Sequence, residues 1–276
     1  MSQSRHRRQR RKLRFQRRTS PGADSGTITA TPDSPLPTMH VIAYGPERIV
    51  DEAITDLDRL PRYLEDNPVT WLNVDGLGSA AVTQKIGQIF GLHSLALEDV
   101  VNVHQQAKVD PYDLHLFIAT RTVEWTDNLL DAEQMSIFLG KNFVVTFQER
   151  PGDCFDPVRD RLRRNNGRVR KHGADYLAYA MIDAIIDSYF PVLDKFSDRM
   201  EELEDLVLKG QRSEVLKQIH SMRNDLLILR RAVRPHREAV NELIRDEYPF
   251  IRQETRVYLR DCYDHVVQLI DLLDIY

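Results

Sequence analysis

Two adjacent carboxylates, Glu98 and Asp99, sit in the otherwise apolar stretch HSLALEDVVNVHQ at 93–105. Leu95, Leu97, Val100, Val101 and Val103 predict a short packed helix with Ser94 as its N-cap. The acids then fall near the negative end of the helix dipole, where a carboxylate is mildly unfavourable. Helix stability does not account for them, so they are either solvated charges on an outer face or ligands. Similar pairs recur further along. Asp183 and Asp187 are four apart, as are Asp261 and His265, while Asp264 and Asp271 are seven apart, so each pair shares one face of a helix. Acids not balanced by nearby lysine invite a cation, and oxygen ligands favour a hard ion such as magnesium or calcium. The alternative for each pair is plain solvation, which is common on acidic helix faces.

Other chemistry is thin. Dinucleotide-binding, P-loop, HExxH, GxSxG and EF-hand patterns are absent from the 276 residues, and no nucleophile with a base can be nominated, so an enzyme is not expected. His93, His104 and His115 read as histidines bonded within structure. The two cysteines, Cys154 and Cys262, form no CxxC pair, which argues for a reducing compartment and against a thiolate zinc site. The net charge of −4 conceals an asymmetry: residues 1–18 hold nine Arg or Lys and no acid, leaving the body near −13. An acidic body disfavours nucleic acid and favours cations or a basic partner. No run of eighteen uninterrupted apolar residues occurs.

The elements that must position these side chains follow from periodicity. Residues 1–38 read as a disordered basic tail. Strands are predicted at 39–45, 70–74, 114–125, 135–140 and 143–149, the last two as a hairpin around Gly140, Lys141 and Asn142. Helices are predicted over 79–90, around Glu98 and Asp99, and over 156–166. Strands mixed with helices give a layered α/β domain over 39–170. A helical hairpin over 171–250 follows. Its first helix, 174–208, is kinked by Pro191, and its second is capped by Ser213. Glu201, Glu202, Glu204 and Asp205 on the first oppose Arg223, Arg230, Arg231, Arg234 and Arg237 on the second, as exposed ion pairs worth little individually. Residues 251–276 form a last helix with Leu259, Cys262, Val266, Leu269, Leu273 and Tyr276 spaced as a heptad seam. It ends at LLDIY without a stop signal, so the helix either frays at a natural terminus or runs on in a longer protein.

The stretches LEDVVNVHQ at 97–105, FQERPGDCFDPVRDRLRRNNGRVRKHGADYLAYAMIDAIIDSYF at 147–190 and VYLRDCYDHVVQLIDLLDIY at 257–276 occur in an order that resembles the cytosolic part of the CorA family of magnesium channels. The similarity runs from about residue 40 to the end. It implies an αβα sandwich with a mixed sheet, a long antiparallel helical hairpin and a stalk helix leading to a membrane pore, assembled as a homopentamer. The resemblance further implies that Asp99 of one subunit and Asp261 of its neighbour bind regulatory Mg2+, with a second site drawing on Glu98, Asp183 and His265. The pore helices and their GMN signature would follow residue 276. The chain is thus expected to be the cytoplasmic regulatory domain of a protein of the cell inner membrane, without its pore. Mg2+ is the expected regulatory and transported ion, with Co2+ or Zn2+ as other candidates. A zinc-transporting relative and a non-transport helical scaffold are the competing readings.

Overall fold

The structure, a computed structural model, describes residues 24–29, 34–126, 129–165, 168–210 and 212–276. Seven strands form one sheet: β1 (Thr38–Tyr44), β2 (Ile49–Ile54), β3 (Val69–Asp75), β4 (Lys108–Pro111), β5 (His115–Thr126), β6 (Leu129–Gly140) and β7 (Phe143–Gln148). Their order is β2-β1-β3-β7-β6-β5-β4. Strands β3 and β7 pair in parallel at the centre, and the other neighbours pair antiparallel.

Period-two alternation gives the sheet two apolar faces. Ile42, Tyr44, Trp71, Leu116, Ile118, Ile137 and Val144 point into one core, and Val41, Ala43, Leu72, Phe117, Phe138 and Val145 into the other. The second face is covered by α1 (Leu60–Asp66), α2 (Ala80–Phe90) and α3 (Ser94–Val101) through Leu60, Ile86, Phe90, Leu97 and Val100. The first face carries α4 (Asp156–Arg163), α5 (Ala174–Asp187), α6 (Phe190–Leu208), α7 (Arg212–Arg245) and α8 (Gln253–Ile275). The result is an αβα sandwich with a mixed sheet, extended by long helices. The heptad-spaced residues of α8 from Leu259 to Leu273 are all buried, at 0–3% exposure, so that seam belongs to this core.

Several expectations are corrected. Strands β2 and β4 and helix α1 were not anticipated, because β2 (IVDEAI) carries adjacent acids and β4 (KVDP) is four residues with two charges and a proline. Both lie at sheet edges, where charge and proline protect against further strand pairing. The cap of α3 is His93, whose Nδ1 accepts from the Leu95 amide at 3.3 Å, and Ser94 is already helical. The helix expected over 174–208 is divided at Ser188–Tyr189, and Pro191 sits in the first turn of α6, where its missing N–H is harmless. Ser213 lies inside α7, which starts at Arg212. Among the described residues none of these α7 arginines ion-pairs with the acids at 201–205. Arg230 and Arg234 reach Asp274 of α8 at 2.6 and 2.9 Å, and Arg199 of α6 reaches Asp225 of α7 at 2.7 Å.

The stretch Ala174–Leu208 has the length and apolarity of a membrane span, but 61% of its most apolar window is buried inside the domain, as in a core helix. The arginine-rich run at 5–18 and the residue Asn166 lie outside the described residues.

Candidate metal centre

Helices α5 and α8 are fastened at one end by Asp175. Its carboxylate accepts from the Arg252 amide (3.1 Å), the Arg252 guanidinium (2.7 Å) and the Thr255 hydroxyl (2.6 Å). Burial alone would raise the Asp175 pKa, but these donors hold it below the ordinary carboxylate value. Two turns further along α5 comes Asp183, facing Asp261 and His265 of α8. One ligand atom from each of the three lies within 4.8 Å of the others.

The electrostatics of this cluster differ from those of an ordinary salt bridge. Asp183 is half-buried, and burial together with neighbouring Asp187 raises its pKa, against smaller opposing effects from Cys262, Arg161 and His265. Asp261 is exposed. His265 Nδ1 stands 3.3 Å from Asp187 Oδ1 without hydrogen-bonding alignment. Cys262 is buried, and its Sγ donates to Asp183 Oδ1 at 3.7 Å. Burial and Asp183 push this thiol far above its ordinary pKa, so without a metal it is a neutral donor to Asp183. Oxygens bound to one Mg2+ at about 2.1 Å are at most about 4.2 Å apart. The three ligand atoms, all within 4.8 Å of one another, lie close to that limit, and the exposed Asp261 side chain is free of packing constraints on one side.

The α3 acids are arranged differently. Glu98 is buried, and its Oε2 accepts from the Gly26 amide at 2.7 Å. Gly26 has a φ of +84°, and a Cβ there would lie 2.7 Å from Ser94 Oγ, so glycine permits this close approach. Asp99 accepts from Gln105 Nε2 at 2.9 Å and pairs with Lys108 Nζ at 2.6 Å. Lys108 also reaches Asp110 at 2.6 Å. Burial would lower the lysine's pKa, but its hydrogen bonds to the two aspartates raise it. Glu98, Asp99, Lys108, Asp110 and Tyr112 line an open depression of about 500 Å³.

Of the sequence-predicted ligands, the chain thus gathers Asp183, Asp261 and His265, while Glu98 and Asp99 occupy a separate site. Sequence reading missed Lys108, Asp110 and Gly26 as neighbours of Asp99 and Glu98; the one available signal was the alternation in KVDP. His115, expected to hydrogen-bond, has both ring nitrogens buried without a partner, and burial and His93 lower its pKa to about 4.

Solved structures share this architecture. The soluble domain of CorA from Methanocaldococcus jannaschii matches with a TM-score of 0.73 and 20% identity over 86% of this chain and 91% of that one. The ZntB cytoplasmic domain from Vibrio parahaemolyticus matches at 0.66 and 12% identity over 87% and 91%. At these identities the likeness establishes the fold. Sequence establishes the family: the model of the CorA-like Mg2+ transporter proteins matches residues 66–276, and the chain belongs to that family. It is 40% identical over 238 residues to the cobalt/magnesium transport protein CorA of Thermotoga maritima, covering 86% of this chain and 68% of that protein.

Proposed function

We propose that this chain is the cytoplasmic regulatory part of a magnesium channel that works as a homopentamer in the cell inner membrane, and that bound Mg2+ stabilises the closed assembly. The observation that carries the reading is the convergence of Asp183, Asp261 and His265 between α5 and α8, with no Lys or Arg ion-paired to either acid among the described residues. A divalent ion supplies the missing positive charge and draws the two helices together through Asp183 and Asp261. Mg2+ keeps several waters and takes one or two protein carboxylates, which fits this donor set. Asp99, with Glu98 behind it, is the second acidic surface, and in this reading it shares a cation with the exposed Asp261 of a neighbouring subunit.

Without the cation, like charges a few ångströms apart repel by about 1 kcal/mol per pair in a solvated interface. Five such interfaces favour separation or tilting of the subunits, and the stalk helices transmit that motion toward the pore. Ligand occupancy shifts the population only through its different affinity for the two arrangements. A zinc-transporting protein is the second reading, favoured by the nitrogen ligand of His265. Against it, the Cys262 thiol is engaged with Asp183, and the donors that remain are two carboxylates and one imidazole, a set that suits Mg2+ or Co2+.

Thermal melting of the chain in millimolar Mg2+ against chelator tests the proposal. The wild type is expected to gain several degrees, and the Asp99→Ala/Asp261→Ala double variant to lose most of that gain. Absence of a gain in the wild type, or an undiminished one in the double variant, overturns it; greater protection by Zn2+ than by Mg2+ favours the second reading.

A further inference from the structure

Apart from the acidic sites, a second cleft of about 310 Å³ lies where α7 crosses β5 and β6, lined by His104, Gln105, Gln106, Arg121, Ile228 and Arg231. Its charge is opposite to that of the acidic body. Arg121, on β5, is half-buried, and its guanidinium reaches only the backbone carbonyls of Gln105 and Ala132, both at 3.3 Å, the long end of hydrogen bonding. Arg231, on α7, is exposed at the cleft mouth. Among the described residues no carboxylate ion-pairs with either arginine. The neighbours of Arg231 on α7, Arg230 and Arg234, by contrast both pair with Asp274.

Two guanidinium groups lining one concave site without a carboxylate partner give it a positive potential that favours an anion. Their planar donor forks match the oxygens of a phosphate group, which each can grip in bidentate fashion. The volume is at the lower end for small-ligand sites. Ile228 and Ala132 supply an apolar wall, and the exposed Gln106 amide supplies neutral donor and acceptor atoms. We propose that this cleft binds a small phosphate-bearing anion, its phosphate held between Arg121 and Arg231. The site does not depend on the metal reading. It does touch the same network, because the Gln105 carbonyl takes Arg121 while the Gln105 side chain holds Asp99.

Calorimetric titration of the 276-residue chain, with chelator present and ionic strength fixed by sodium chloride, tests this with inorganic phosphate, adenosine monophosphate and adenosine. Saturable binding of phosphate or of the nucleotide is expected, with at least tenfold weaker affinity in Arg231→Gln, an exposed substitution that leaves the fold intact. Arg121→Lys keeps the charge but loses the fork, and is expected to bind with reduced affinity. Nucleotide binding more tightly than phosphate identifies a nucleotide ligand, and equal affinity identifies the inorganic ion. No saturable heat from either phosphate compound, adenosine binding as well as its monophosphate, or wild-type affinity in Arg231→Gln would each overturn the assignment.

Discussion

The two acidic regions of this protein solve the problem of crowded negative charge in different ways. On α3, Asp99 is met by Lys108 and Gln105, and Glu98 by the Gly26 amide, all from the same chain. Between α5 and α8, Asp183, Asp187 and Asp261 collect around one histidine and a neutral thiol, and no Lys or Arg ion-pairs with them among the described residues. The α3 site is therefore neutralised in part before any ligand arrives, whereas the α5–α8 site has its charge deficit built in. A cation adds most where the chain supplies least.

The sharpest way to break that comparison is to loosen the α5–α8 pair without touching the cluster. Asp175 has a 4% exposed side chain and receives three donors from the start of α8. Removing it leaves Arg252 and Thr255 without their acceptor, and Asp175→Ala is expected to cost about 2–4 kcal/mol, toward the lower end because Arg252 is half exposed. Urea titration measures this, and the Mg2+ response should fall with it, since Asp183 and Asp261 lose their register. Full retention of both would mean the helices are held by apolar packing alone. The pH dependence has a definite sign. The folded pKa of Asp175 lies below the ordinary 3.8. Its contribution is present above that value and is lost as pH falls through the lowered one.

A smaller effect of opposite sign is expected at Asp183 on the same helix. Its pKa is raised by burial and by Asp187, so the charged form opposes folding in the absence of metal. That penalty is present above the folded pKa and is relieved as pH falls toward the ordinary 3.8. Asp183→Asn should therefore raise metal-free stability by about 0.5–1 kcal/mol, in line with removing one like-charge contact in a solvated setting. It should also abolish most of the Mg2+ stabilisation. Melting curves with and without chelator, repeated from pH 4 to 7, would check both halves. Destabilisation of the metal-free variant would show Asp183 to be a structural hydrogen-bond acceptor for Cys262 and not a site awaiting a cation.

The sheet faces and the α8 seam were legible because burial on one side imposes period two on strands and near-heptad spacing on the helix. Trp71, Phe117 and Leu269 obey those patterns regardless of neighbours distant in sequence. The edge strands were not legible, because β2 and β4 are short and charged, and their pairing comes from β1 and β5. Convergence of Asp183 with Asp261 and His265 comes from α5 packing on α8, with Asp175 gripping Arg252 at one end, contacts between residues some 77 apart that no local spacing encodes. The same holds for Lys108, which reads in sequence as one more surface charge. Only pairing of β4 with β5 brings it to Asp99.

Lys108 offers the smallest and most selective test of the comparison. It bridges Asp99 and Asp110 with about a third of its side chain exposed, so the bridge is screened and contributes little to stability. Lys108→Met keeps most of the aliphatic stem but loses the screened bridge and the ammonium's contact with the Phe117 ring at 5.7 Å, and should lower metal-free stability by no more than about 1 kcal/mol. Its effect on the cation should be larger than its effect on the fold. With the ammonium gone, Asp99 and Asp110 face each other without their shared counter-ion, and a divalent ion becomes the available replacement. The variant should gain more from Mg2+ than the wild type does, and this extra gain should vanish when Asp99→Ala is added. An unchanged Mg2+ response would mean that Asp99 serves only to hold Lys108 and Gln105, leaving the α5–α8 cluster as the sole cation site of the described chain.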